Sequence, residues 1–255
     1  MLSAIVITKN AGDHIGGCLE SVAWADEIIV IDSGSDDDTV DICRRYTDRV
    51  YVHDWPGFGP QKNRALGYAT GDWILSIDAD ERVTPELREI ILSNVGDHAL
   101  AAYRMPRQSY YCGRWIRHSG WWPDYVVRLF RRGQARFSDD AVHERVEVSH
   151  GEIGTLDEPL VHYSFETLEE VLDKVNRYSS AGAAMRLQRG QRANLRTAVL
   201  HAVWTFLRTY FIRAGFLDGR EGFMLAVSNA EGVYYRYLKL MYLRRNNAAA
   251  VPRRP

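Results

Sequence analysis

Over the first 95 positions, short apolar runs alternate with stretches of helical spacing. The runs at residues 2–8, 27–31, 49–53 and 73–77 are short and nearly unbroken, the pattern of strands covered on both faces. Between them, Ile15, Cys18, Leu19 and Val22 share one helical face, with Asp13 placed to cap it, and further helices are predicted over 39–46 and 61–69. Strand–helix alternation with short connections predicts an α/β fold with a mostly parallel sheet and right-handed crossovers. Thr84 followed by Pro85 is a good helix start and predicts a helix over 85–95.

The pattern changes after that helix. Residues 103–105, 110–112, 125–130, 136–137 and 142–148 are aromatic and Arg-rich β-type runs, predicting mixed or antiparallel strands that complete the sheet. Trp115, Trp121, Trp122 and Tyr125 cluster here, either as core or as an aromatic platform for flat ligands. Thr167-x-x-Glu170 is a capping box that opens a helix through 189. A second helix over 195–213 puts Leu195, Val199, Leu200, Val203, Trp204, Phe206, Leu207, Tyr210 and Phe211 on one half of its wheel. Aromatic residues flanked by Arg suit a helix lying on a bilayer, and equally one packed on its own protein. Residues 216–219 read as a turn and 222–243 as a last helix. The chain thus divides into an α/β domain over 1–165, with halves 1–95 and 96–165, a helical region over 166–245, and a tail over 246–255 expected to be disordered.

Composition narrows the classes. With 255 residues, 46% hydrophobic and 25% charged, the chain can build a sizeable core. A formal net charge of -1 argues against a general nucleic-acid binder. Positive charge is nearly all Arg, with Lys at 9, 62, 174 and 239. Three scattered cysteines, Cys18, Cys43 and Cys112, match no metal spacing and fit a reducing compartment. No window reaches a membrane-spanning apolar length, and the first residues have no signal-like apolar region.

The candidate chemistry sits at strand ends. The run Trp73-Ile74-Leu75-Ser76-Ile77 stops in Asp78-Ala79-Asp80, and the run ending at Ile31 stops in Asp32. Carboxylates at the C-terminal edge of neighbouring strands lie where open α/β sheets bind ligands. Asp78 and Asp80 can hold a hard divalent cation, Mg²⁺ or Mn²⁺, which would neutralise a diphosphate leaving group. Asp32 is placed for a nucleoside, and Lys62 or Arg64 for phosphates, unless these two merely line a solvated helix face. A base for an attacking hydroxyl is sought in Phe137-Ser138-Asp139-Asp140-Ala141-Val142-His143-Glu144, with Glu144 first and Asp140 second. His162, in an apolar run, is either a core residue or a further metal or phosphate ligand.

These residues carry a resemblance. Ile5-Val6-Ile7-Thr8-Lys9-Asn10, Val30-Ile31-Asp32-Ser33-Gly34-Ser35-Asp36-Asp37-Asp38-Thr39, Gln61-Lys62-Asn63 and Ser76-Ile77-Asp78-Ala79-Asp80-Glu81 resemble, in order and spacing, the GT-A nucleotide-binding half of family 2 glycosyltransferases. Trp122-Pro123-Asp124, Arg128-Leu129-Phe130-Arg131-Arg132, Val142-His143-Glu144 and Phe216-Leu217-Asp218-Gly219 are similar to the bacterial lipopolysaccharide-core branch. The resemblance implies a GT-A, Rossmann-like sheet and inverting transfer from a nucleotide sugar, a UDP-sugar such as UDP-glucose, to a saccharide or glycolipid hydroxyl. It implies that Thr8, Asn10, Asp32, Lys62 and Asp78 meet the nucleotide. Asp80, Asp78 and His162 would meet the metal, Glu144 or Asp140 would be the base, and Trp121, Trp122 and Asp124 would meet the acceptor. A cytoplasmic protein, peripheral on the inner face of the bacterial inner membrane through 195–213, is expected. One departure concerns the first motif: Ala11-Gly12-Asp13 follows Asn10 where many members have an acid sooner.

Two rivals remain at this stage. An aspartate-nucleophile phosphohydrolase also puts Asp-x-Asp after a buried strand, but on its first strand and with Thr or Val where Arg82 stands. A non-catalytic sugar-binding protein of the same fold would have lost the acids, and Asp32, Asp78, Asp80 and Glu144 are all present.

Overall fold

The computed structural model describes residues 1–96, 100–138 and 144–250, with side chains through Arg245. The chain forms two compact units. One comprises Met1–Gln108 with Pro123–Tyr163, and the other Ser109–Trp122 with the chain from Ser164 onward. The second unit takes in Ser109–Trp122, a segment that lies within the 1–165 region expected as the α/β domain.

In the first unit the elements run β1 (Leu2–Thr8), α1 (Gly12–Ser21), β2 (Glu27–Asp32), α2 (Thr39–Cys43), β3 (Val50–Val52), α3 (Phe58–Tyr68), β4 (Trp73–Asp78), β5 (Glu81–Arg82) and α4 (Pro85–Asn94). Then come β6 (Leu100–Tyr111), β7 (Arg114–Trp115), β8 (Asp124–Arg131), β9 (Ala135–Phe137), β10 (Val146–Val148), β11 (Glu152–Thr155) and β12 (Leu160–Phe165). β7 and the ends of β6 and β12 belong to the second unit. The sheet order is β3-β2-β1-β4-β8-β6-β12-β5. The strands β3, β2, β1 and β4 are parallel, and β8 against β4 and β6 is antiparallel, as the change of pattern after residue 95 predicts. Asp13 does not cap α1: the N-cap is Ala11, and Asp13 lies in the first turn, where a negative charge suits the helix dipole. Thr84 does cap α4, accepting from Leu87 N.

β4 shows how the sheet aims its polar end. Its alternate residues Trp73, Leu75 and Ile77 pack with Ile15, Cys18 and Leu19 of α1 and Leu87 and Ile91 of α4. Ile74 faces the opposite core with Ala65 of α3 and Phe137 of β9. Ser76 and Asp78 share that second face by parity, so α3 covers the side from which Asp78 emerges.

The consecutive polar residues of α3 fasten that helix. Gln61 Nε2 donates to Ser33 Oγ at 2.9 Å. Asn63 exchanges two hydrogen bonds with the Phe137 backbone, each 2.9 Å. Lys62, 2% exposed, places Nζ 2.8 Å from Asp78 Oδ1 and 2.9 Å from Glu144 Oε1. A buried ammonium is tolerated only when paired, and two carboxylates supply the pairing.

In the second unit α5 (Leu168–Gln188) opens on the expected capping box, Thr167 with Glu170. Next, α6 spans Leu195–Leu207, and Arg208–Ile212 forms a π-helical turn where one continuous helix to 213 is expected. A short 3₁₀ turn, Gly215–Asp218, leads into α7 (Gly219–Ala250), which is longer at both ends than the predicted 222–243. The helix thus enters the tail expected to be disordered, and 251–255 lie outside the described residues. Tyr111, Ile116, Phe165, Val171 and Leu225 form this unit's core, with Trp121 packed against them.

Burial alone would push the Asp78 carboxyl up, but the Arg128 guanidinium and the Lys62 ammonium outweigh it and hold it well below the ordinary carboxylate range. Its stabilising contribution is therefore fully present above about pH 4 and is lost only as pH falls towards the depressed value. Lys62→Met removes one of the two compensating cations. We expect it to cost about 3–5 kcal/mol at neutral pH and to raise the pH midpoint of acid unfolding followed by circular dichroism. An unchanged midpoint would contradict the ion pairing described here.

Candidate active site

The C-terminal edge of the parallel strands gathers the acids that the sequence singles out. Thr8 pairs in register with Asp32, and Ile7 with Asp78. Asp32 and Asp78 therefore flank β1 at the same edge, two strand spacings or about 10 Å apart.

At the β2 tip, Asp32 is fully buried. Its Oδ2 accepts from Gly34 N and Ser35 N, both 2.8 Å, and its Oδ1 from Ser35 Oγ at 2.5 Å. The carboxylate thus shapes the Ser33–Ser35 loop from inside. That loop is knitted to the tip of β1. Asn10 N donates to Ser35 Oγ, Asp36 N to Asn10 Oδ1, Ala11 N to Thr39 Oγ1 and Gly12 N to Asp37 Oδ2. Asn10 adopts φ 47°, a left-handed conformation that Asn tolerates better than most residues. A Cβ at Gly12 would lie 2.2 Å from Asp38 Oδ1, so a side chain there would displace the Asp38 carboxylate. Beside these loops the buried Thr8 Oγ1 has no hydrogen-bond partner among the described residues, the sort of orphan hydroxyl a polar ligand would satisfy.

At the β4 tip a chain of alternating charges runs Glu144, Lys62, Asp78, Arg128, Glu81, Arg107, Asp124. Arg128, from β8, bonds Asp78 Oδ2 and reaches Glu81 Oε1 at 2.6 Å. Burial would lower the Arg128 guanidinium, but Asp78 and Glu81 hold it firmly protonated. Glu81, fully buried, also accepts from Asp78 N at 2.9 Å. Arg107 joins Glu81 to Asp124, donating to Asp124 Oδ2 from Nη2 at 2.6 Å. Both oxygens of Asp78 are therefore engaged by cations. Beyond this chain, Asp80 Oδ2 stands 3.3 Å from His162 Nε2, and Tyr163 N donates to Asp80 O at 2.9 Å.

Among the described residues no group of three or more His, Cys, Asp or Glu has the geometry of a metal centre. The Asp80–His162 pair nevertheless fits a divalent ion whose remaining ligands are substrate phosphates and water. Mg²⁺ takes one or two protein carboxylates in such sites and Mn²⁺ likewise favours carboxylate and water oxygen, so Asp80 is the principal ligand of the pair. Asp78, bound by two cations, fits that role less well than the sequence suggests.

Of the other expected residues, Lys62 sits at the heart of the ion chain rather than on a solvated face, and Glu144 is tethered to it. Asp140 lies outside the described residues. Asp124 is the far end of the ion chain. Trp121 and Trp122 belong to the second unit, where Trp121 stacks with Phe165 and meets Tyr111 edge-on. Arg128, Glu81 and Arg107 were not singled out for chemistry. Their signal was an Arg flanked by Val127 and Leu129 inside an apolar strand, which demands buried acids to face it.

Comparison with known proteins bears on this arrangement. A model described as Glycosyl transferase family 2 matches residues 3–151. The lipopolysaccharide core biosynthesis glycosyltransferase LpsC of Rhizobium meliloti is 31% identical, covering 92% of this chain and 93% of its own. The uncharacterized glycosyltransferase RT0209 of Rickettsia typhi is 32% identical, covering 95% of this chain and 86% of its own. Similar solved structures include S. aureus TarS 1-349 in complex with UDP-GlcNAc, at TM-score 0.49 and 16% identity, covering 96% of this chain and 92% of that one. Another is glucosyl-3-phosphoglycerate synthase from Mycobacterium tuberculosis with Mn²⁺ and UDP-glucose, at TM-score 0.36 and 24% identity, covering 44% and 43%. The family model spans more than half of the chain and relatives above 30% identity run along nearly all of it, so this chain belongs to glycosyl transferase family 2.

Proposed function

We propose that the chain is an inverting, divalent-cation-dependent glycosyltransferase that moves a sugar from a UDP-sugar to a hydroxyl of a saccharide or glycolipid in lipopolysaccharide core assembly. The observation that carries this reading is the shared strand edge: the Asn10 and Ser33–Ser35 loops beside an unpartnered Thr8 hydroxyl on one side, the Asp80–His162 pair on the other. The first suits a nucleoside and the second a diphosphate. The likeness to the lipopolysaccharide core biosynthesis glycosyltransferase of Rhizobium meliloti supports the core-assembly part. An aspartate nucleophile at Asp78 is disfavoured, since Lys62 and Arg128 occupy its oxygens.

In this reading Asp32 shapes the nucleoside loop and Thr8 and Asn10 face the donor. Asp80 and His162 would hold the cation, which when bound supplies charge neutralisation to the departing diphosphate. Glu144, fixed at Oε1 by Lys62, takes the proton of the acceptor hydroxyl. That oxygen bonds to the anomeric carbon as the carbon–oxygen bond to UDP breaks, in one displacement that inverts the centre. Asp124 serves the acceptor.

The exposed face of α6 extends the reading to a membrane surface. Leu195, Leu200, Val203 and Trp204 stay exposed although α6 packs on α7, with Leu200 69% and Trp204 54% accessible. Phe211 and Ile212 in the following π-helical turn are exposed as well, and so are Arg196, Arg208 and Arg213. Apolar surface rimmed by guanidinium groups complements an anionic bilayer. No helix among the described residues is long and apolar enough to cross a membrane.

Three outcomes test this reading. In calorimetry, UDP-glucose binding to wild type should need Mn²⁺ and vanish with EDTA, and Asp80→Ala or His162→Ala should remove the Mn²⁺ dependence. Equal affinity with EDTA would refute the cation role. Glu144→Gln should keep donor binding yet lower UDP release in the presence of acceptor at least about 100-fold, and near-normal turnover would remove Glu144 from the base role. In flotation, wild type should rise with phosphatidylglycerol vesicles and Leu200→Glu with Trp204→Glu should not. Equal recovery of the two would contradict membrane contact.

A further inference from the structure

The turn containing Asp218 shares a pocket with the segment Gly113–His118, and none of the residues lining it takes part in the transfer proposed above. Asp218 is 1% exposed yet ionisable. Its carboxylate accepts from Arg117 N at 3.1 Å, His118 N at 2.9 Å, His118 Nδ1 at 3.1 Å and Ser119 Oγ at 3.3 Å. A carboxylate with four donors is satisfied, so the buried charge is a structural anchor and not itself the ligand.

That anchor fixes the chemistry of its neighbour. Asp218 Oδ1 also accepts from Arg117 N, so His118 Nδ1 must be the donor in its own bond, and Nε2 is the ring nitrogen left for another partner. The open pocket, about 370 Å³, is lined by Gly113, Arg114, Trp115, Arg117, His118, Leu217 and Asp218. Arg114 and Arg117 are exposed and bring two guanidinium groups to it. Arg114 donates weakly to Leu217 O at 3.4 Å, and Glu221, paired with Arg220, also feels the Arg114 charge beside Gly219. Trp115 supplies a flat wall, braced edge-on by Tyr110 at 5.0 Å between ring centres.

The backbone around this pocket is strained in a way that packing enforces. Of the four non-glycine residues at positive φ among the described residues, Cys112, Ser119 and Ala214 belong to this turn region, at 44°, 61° and 53°. Ser119 N donates to Arg213 O at 2.8 Å, and a Cβ on Gly222 would fall 1.9 Å from Gly215 O. Left-handed non-glycine residues cost of order 1–3 kcal/mol each and persist where the surroundings over-determine them, above all at ligand clamps.

The geometry points to a binding site for an anionic saccharide: a phosphate or carboxylate held by Arg114, Arg117 and His118 Nε2, with the sugar's apolar face on Trp115. The anion part stands on the pocket alone. The saccharide part rests on the acceptor reading above. The negative group can come from a phosphorylated sugar or from an acidic sugar, and free phosphate would satisfy only the cationic half.

The test is ¹⁵N-histidine NMR on the full chain, with the His118 signals assigned through His118→Gln. Glucose 6-phosphate and glucuronate are each titrated against inorganic phosphate and glucose. Saturable shifts of His118 with glucose 6-phosphate or glucuronate are expected, the better of the two naming the anion source, with phosphate at least about tenfold weaker and glucose silent. Arg114→Ala with Arg117→Ala, both exposed positions, should weaken sugar-anion binding at least about tenfold while thermal unfolding and UDP affinity stay at wild-type values. Shifts with glucose alone, equal affinity for phosphate and glucose 6-phosphate, no shift with any anion, or undiminished binding in the double variant would each overturn the site. Wild type that binds glucose 6-phosphate but not UDP would instead overturn the donor reading and leave this site standing.

Discussion

The fold's first unit turns on how it keeps a charged carboxylate at the end of a buried strand. Asp78 leaves a strand whose preceding residues are almost wholly inaccessible, in a setting that by itself would favour the neutral acid. Two cations from different elements prevent that: Lys62 from α3 and Arg128 from β8. Each is itself buried and needs more than one acid, which brings in Glu144 on one side and Glu81 on the other. The result is a rigid, polar, low-dielectric rim at the ligand edge of the sheet, assembled from residues far apart in sequence.

That rim organises what lies beyond it. With Asp78 fully engaged, the outward acid of the pair is Asp80, and the ring of His162, which stands opposite Glu81 in the β5–β12 pairing, reaches its carboxylate. On the other side of β1, Asp32 is engaged by its own loop, which Asn10 ties to the tip of β1. The two strand-tip acids that dominate the sequence motif act from inside, and their neighbours face outward.

Much of this was legible in the chain. Apolar runs ended by an acid located β2 and β4, and Thr84-Pro85 and Thr167-x-x-Glu170 located two helix starts by capping chemistry that is local and therefore visible. What was hidden depends on pairing across long separations. β6 runs unbroken through Pro106, where the sequence suggests two separate runs, because β8 pairs with it on both sides of the proline. Glu81 and Arg128 look ordinary until their burial makes each one's partner obligatory, and half-buried Arg107 joins them only through Glu81. The π-helical turn at Arg208–Ile212 likewise carries no periodic signature, and the wheel drawn for a continuous helix over 195–213 holds only as far as Leu207.

Diffraction at the manganese edge from crystals grown with Mn²⁺ and UDP tests the central claim most directly. The strand-edge account predicts an anomalous peak bridging Asp80, His162 and the diphosphate, with Asp78 still clamped by Lys62 and Arg128. A peak ligated by Asp78 after release of Lys62, or uridine bound away from the Asn10 and Ser33–Ser35 loops, would contradict it.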